Sequence, residues 1–200
     1  MKALDWAYEK ALSGVPGLDS APEMANKYML QEGTLHDRAD SLIRWQNAKA
    51  GTSGFITGIG GIMTLPVAIP ANLASVLYIQ VRMIAAIAHM GGHNLRDDKV
   101  KTLVYICLVG NIAKDFLQET GILIGTKLTA QAIERISEKS LIAINQRVGF
   151  RLMSGMGEKG FINLGKAVPV VGGVIGGTID VVATNMIGNV AKNAFLPPKI

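Results

Sequence analysis

From Ala50 to Val81 the chain runs for 32 residues without a charged side chain. This stretch limits the possible folds more than any other feature. It exceeds the roughly 20 residues that a helix needs to cross a bilayer, yet its composition is wrong for a lone span. Gly51, Gly54, Gly58, Gly60 and Gly61 crowd its start, and Pro66 and Pro70 break its middle. Glycine and proline both weaken a helix interior. Arg82 follows near the centre of the next helical stretch, and Asp180 interrupts the last apolar stretch. A charge at such a position is costly in lipid. An isolated transmembrane helix is therefore disfavoured. The expectation is a central apolar hairpin wrapped by amphipathic helices, with shallow insertion of residues 50–91 into one leaflet as the alternative.

Apolar positions elsewhere recur at three and four residues and nowhere alternate, which predicts an all-α fold without strands. A short helix is expected over 2–12, ended by Gly14 and Pro16. A second is capped by Asp19 or Ser20, runs to about Gln31 and stops at Gly33. A third starts near Asp37, with Ala39, Leu42, Ile43 and Ala50 on one side and Arg38, Asp40, Arg44 and Gln46 on the other. A long helix from Pro70 should end at Gly91-Gly92, and Asp97 or a neighbour should cap the next. That helix carries Val100, Leu103, Val104, Cys107, Leu108, Ile112 and Phe116 on one face. Further helical stretches are expected with Leu128, Ala132, Ile133 and Ile136 on one face, over 138–152, and from about Pro169 to Phe195. Gly155, Gly157 and Gly160 mark a loop. The predicted architecture is one compact all-α domain with central apolar, glycine-rich helices. Residues 1–34 form an N-terminal helical extension and residues 35–196 the main domain.

Charged residues make up 18% of the chain, below the average of about 25%. The net charge of +5 is confined to one end. Residues 1–138 balance 13 basic against 13 acidic side chains, whereas from Lys139 onward seven basic residues face Glu158 and Asp180 alone. Such a third suits an anionic bilayer or a mildly basic solvated face. Nucleic acid is not the expected partner, because the region holds no binding motif and its basic residues are dispersed among apolar ones. Cys107 is the only cysteine, which excludes an internal disulfide and a cysteine-cluster zinc site. Its apolar neighbours predict a buried thiol. Residues 1–20 lack the apolar core of a secretory signal, and a cytoplasmic setting is expected.

Motifs for chemistry are few. No Gly-Lys-Ser/Thr follows the glycine run, so a phosphate-binding loop is unsupported, and no Gly-x-Ser-x-Gly elbow is present. His89 and His93 have the spacing to share a metal, but Gly91-Gly92 ends the helix between them, and no metal or cofactor is assigned. Glu119, Glu134, Glu138 and Glu158 read as solvated helix faces. Glycines recur four apart at Gly54 and Gly58, Gly121 and Gly125, Gly172 and Gly176, and Gly173 and Gly177, a spacing that permits close helix crossings. One polar stripe remains on each of two apolar helices. Asn72, Ser75, Arg82 and His89 share a line on the first. Gly173, Gly177, Asp180, Thr184, Gly188 and Ala191 share one on the last. Arg82 and Asp180 are the obvious candidates for a buried pair or polar ligand site, because an unpartnered buried charge is expensive. The alternative is that Arg82 reaches the surface and Asp180 is bonded by Thr184 or solvated.

Several segments together resemble the EcsC family of bacterial proteins. They are Gly54 to Pro66 followed by Val67-Ala68-Ile69-Pro70, then Val81 to Ala88 leading to Gly91-Gly92 and Asp97, then Val168 to Gly177 followed by Asp180, Thr184 and Gly188. The family pattern often carries an acidic residue between the two prolines, where this chain has Val67, Ala68 and Ile69. The resemblance covers roughly residues 35–195. It implies a helical, membrane-associated domain and no settled activity. The expected function is therefore a non-catalytic domain, peripheral at the inner face of the membrane, that binds anionic lipid or a membrane protein. The rivals are a hydrolase acting on a lipid or cell-envelope substrate, and an accessory or immunity protein docking on a membrane toxin or transporter.

Overall fold

A computed structural model of the chain describes residues 2–50, 71–110, 133–155 and 177–198. Among them are seven helices: α1 (Lys2–Ser13), α2 (Ala21–Met29), α3 (Leu35–Ala50), α4 (Ala71–Met90), α5 (Asp98–Cys107), α6 (Glu138–Gly155) and α7 (Gly177–Phe195). No strand occurs among the described residues, only an isolated bridge between Val15 and Leu18. The all-α reading therefore holds.

Local chemistry sets the helix ends. Ser20 caps α2 in a capping box with Glu23, whose carboxylate accepts from the Ser20 backbone and hydroxyl. Two hydrogen bonds from Ser20 hold the Glu23 carboxyl below its ordinary range. At α3 the same device is built from Thr34 and Asp37: the Asp37 N–H donates to the Thr34 hydroxyl, and the Thr34 N–H donates to the Asp37 carboxylate. Asp37 thus sits in the first turn, and the helix begins two residues earlier than its sequence suggests. Asp97 caps α5. Gly14 and Gly92 take positive φ where helices stop, whereas α2 stops at Met29, short of Gly33. α5 ends at Cys107, and Gly110 takes φ +62. The expected continuation through Ile112 and Phe116 lies outside the described residues. So do 51–70, including the Gly54/Gly58 pair and Pro70, and so do Gly121, Gly125, Gly172, Gly173 and Gly176.

α4 is the hub, packed against α1, α2, α3, α5 and α7. Every residue from Val81 to Ala88 is buried. The apolar stretch over 74–90 is therefore covered by protein. No helix among the described residues is long and apolar enough to cross a membrane. α1 and α2, from the expected extension, pack on α4, and Leu4, Trp6, Ala7, Met24 and Ala25 join the same core as α3 to α7.

α7 runs antiparallel to α3. His36 Nε2 donates to the Pro197 carbonyl (2.6 Å), Lys192 pairs with Asp40, and a Cβ placed on Gly188 would lie 2.7 Å from Ile43 Cγ1. These pairs step in opposite directions along the two helices and bring Thr184 level with Asn47. Thr184, Gly188 and Ala191 are buried, as the small-residue stripe predicts. α4 and α7 meet at their C-terminal ends, where His93 Nε2 donates to the Phe195 carbonyl (3.0 Å) and a Cβ on Gly91 would collide with that oxygen.

Candidate functional site

α4 is apolar apart from a few positions, and on it Arg82 is 2% exposed. Its face is turned toward α2 and α3. Nη1 donates to the Asp19 carbonyl (3.1 Å), and Nη2 donates to Gln46 Oε1 (3.2 Å). Cζ lies 5.4 Å from the centre of the Tyr78 ring, one turn earlier on the same helix. Gln46 is itself buried, and its Nε2 contacts Met24 Sδ at 3.2 Å. Arg82 thus ties three helices together through neutral acceptors.

Asp19 is the acid beside this charge, close enough to act on the Tyr78 hydroxyl, but it does not pair with the guanidinium. The Asp19 carboxylate turns outward to Lys27 at 2.7 Å while only its carbonyl faces Arg82. Among the described residues, no carboxylate pairs with the guanidinium. Arg82 Nε and the Tyr78 hydroxyl are both buried without a hydrogen-bond partner. Burial raises the Tyr78 hydroxyl above its ordinary range, and the Arg82 charge works against that rise.

The six residues singled out in the sequence meet different fates. Ser75 and Thr184 are buried like Arg82, and Thr184 Oγ1 has no partner. His89 is half-buried near the far end of α4. The side chains of Asn72 and Asp180 lie outside the described residues. The polar contacts described for Arg82 go to Asp19 and Gln46, which the sequence reading did not single out. Gln46 was placed on the polar side of α3. It is instead buried, because it follows Leu42 and Ile43 by four and three residues and so shares their face. That spacing was the available signal. The Asp19 contact uses a backbone carbonyl, which no side-chain pattern reveals.

His93 donates to Phe195, which makes it a pin for the C-terminal residues. Among the described residues, no three His, Cys, Asp or Glu side chains converge in a way that could hold a metal. Cys107 is buried, and burial pushes its thiol up to about 12.

The described surface exposes Leu30 and Trp45, and two broader features lie elsewhere on it. A cleft of about 220 Å³ lies where α1, α5 and α6 meet, lined by Asp5, Asp98, Lys101, Tyr105, Glu138 and Asn145 among others. Its wall is partly paired: Tyr105 donates to Asp5 (3.1 Å), Lys101 pairs with Asp5 (2.8 Å), and Asn145 donates to Thr102 (3.3 Å) while its Oδ1 is buried without a partner among the described residues. The other feature is the outer face of α6. This helix packs on α5 through Ile144 and Val148. Its opposite side exposes Lys139, Ile142, Ala143, Gln146, Arg147 and Phe150, with Phe150 75% and Ile142 56% exposed, Ile142 also edging the cleft.

The profile described as the EcsC protein family matches residues 22–196. No curated protein and no solved structure matches the chain.

Proposed function

We propose, from the premise that this chain belongs to the EcsC protein family, that it works as a peripheral membrane domain that holds anionic lipid through α6 and has no catalytic activity of its own. The observation that carries this reading is the outer face of α6, where two large apolar side chains stand in solvent between basic ones. A Phe or Ile side chain transferred from water into the lipid interface gains about 1.5–3 kcal/mol when fully buried. A lysine or arginine close to an anionic surface adds about 1 kcal/mol. Reversible membrane binding rests on such a combination of apolar area and charge. The positive balance of the chain after Lys139 acts in the same direction. The membrane contact belongs to the inner, cytoplasmic leaflet, where anionic lipid is concentrated.

Flotation with vesicles tests it. The protein should float with phosphatidylglycerol-rich vesicles at low salt, stay down with phosphatidylcholine alone, and be released as salt rises. Ile142→Asp and Phe150→Asp should each weaken flotation while leaving the fold intact. Failure to float with anionic vesicles at low salt refutes the reading. Flotation that survives both high salt and carbonate points to integral insertion, and flotation indifferent to both substitutions moves the contact away from α6.

A further inference from the structure

We infer that Arg82 anchors an internal site for a small oxyanion, a carboxylate or phosphate group held between its guanidinium and the hydroxyl of Tyr78. The inference is independent of any membrane contact.

The first argument is charge. A guanidinium cannot shed its proton at any ordinary pH, so burying it requires an opposite charge or a full set of hydrogen bonds. Arg82 has neither among the described residues. Its two bonds go to neutral oxygens, and the one acid whose backbone it touches, Asp19, is engaged with Lys27 on the outside.

The second argument is the kind of group left over. Arg82 Nε–H can only donate, and the Tyr78 hydroxyl has a proton to give. Both are buried and neither completes a well-aligned hydrogen bond among the described residues, although the Arg82 side chain lies against the Tyr78 hydroxyl; both sit on one face of α4, four residues apart. Two neighbouring donors beside a fixed positive charge favour an anion over a cation or a neutral amide. A planar fork of N–H groups fits a group with two oxygens on one centre, which carboxylate and phosphate share. Burial keeps the Tyr78 phenol in its donating, protonated form.

The third argument is access. Asp19 and Tyr28, which neighbour the guanidinium from the α2 side, are only half-buried. The site therefore lies shallowly beneath α2 and its preceding turn.

The test is the melting temperature of the full chain as chloride is exchanged for acetate, inorganic phosphate or a water-soluble short-chain phosphatidate at constant ionic strength. One of the oxyanions should give a saturable rise of about 5 °C or more at a hundredfold excess over its Kd. A response to phosphatidate alone makes the source a lipid headgroup, and a response to phosphate or acetate makes it a soluble anion. Tyr78→Phe keeps the ring and loses only the hydroxyl, and should weaken the apparent affinity about 3- to 10-fold. Arg82→Lys keeps the charge but loses the fork, and should weaken it at least as much. Identical melting in every salt refutes the site, as does wild-type anion dependence in both variants. If only Asp180→Asn becomes anion-sensitive, the chain supplies its own carboxylate, and that result also overturns the proposal.

Discussion

α4 and α6 invert the usual expectation for an apolar helix. α4 is the more apolar of the two, and it is enclosed by five other helices. α6 mixes Glu138, Lys139, Asn145, Gln146 and Arg147 with its apolar residues, yet it is the helix that leaves Ile142 and Phe150 in solvent. Apolarity along a helix here reports how many neighbours surround it. Of the two, the more polar helix is the one that leaves large apolar side chains uncovered.

Core truncation should break the symmetry between the two helices most strongly. Ile84→Ala or Ile87→Ala on α4 should cost about 2–5 kcal/mol, because each removes a fully buried side chain. Phe150→Ala on α6 should stay within about 0.5 kcal/mol. Denaturant melts measure both, and equal losses would mean that α6 is covered in solution. Next in size are the glycines at which α7 meets its neighbours. Gly91→Ala at the end of α4 meets the Phe195 backbone, which has no flexible end to move, and should cost about 1–3 kcal/mol. Gly188→Ala meets Cγ1, Cδ1 and Cγ2 of the buried Ile43, a side chain that must shift as a whole but is not backbone, and should cost less. The reverse order would show that the end of α7 yields more easily than the α3 contact.

Alkali should act on the enclosed side first. Burial raises Tyr8, Tyr78, Tyr105 and Cys107 above their ordinary values. The folded state therefore holds protons that the unfolded chain releases between pH 9 and 10, and stability falls as pH rises through that range and beyond. Melting temperature against pH should be flat up to about pH 9 and then decline, and Tyr105→Phe should reduce the slope. In the native protein at pH 8, Cys107 should resist alkylation, since its thiol is raised to about 12 and buried. Rapid labelling would mean that α5 opens readily. The smallest effect belongs to the surface: Lys27→Ala removes an exposed pair with Asp19 and should cost about 0.5 kcal/mol or less.

Much of the fold was legible because punctuation residues carry local physics. Ser20, Asp97, Gly14 and the Gly91-Gly92 pair each marked a helix end, whereas α2 stops at Met29, short of the Gly33 expected to end it. The start of α3 was misread because Asp37 was taken as the beginning of the helix, whereas it is the acidic partner that closes back on Thr34. Of the candidate site, Arg82 was legible as the only charge between Lys49 and Arg96. Its surroundings were not. A backbone carbonyl at Asp19 leaves no trace in a side-chain pattern, and Tyr78 in an apolar helix reads as ordinary core. Gln46 was hidden by its own polarity: it lies at the spacing of a core residue but was assigned by residue type.

The antiparallel seam between α3 and α7 has a consequence for synthesis. His36 finds Pro197 across 161 positions, and Asp40 finds Lys192 across 152. As the chain leaves the ribosome, α3 and α4 emerge long before α7, so the trough that receives Gly188 and Ala191 stands open for most of translation. Contacts this distant in sequence form late and slowly. A nascent chain interrupted before α7 would leave Ile43, which packs on Gly188, open to other apolar surfaces.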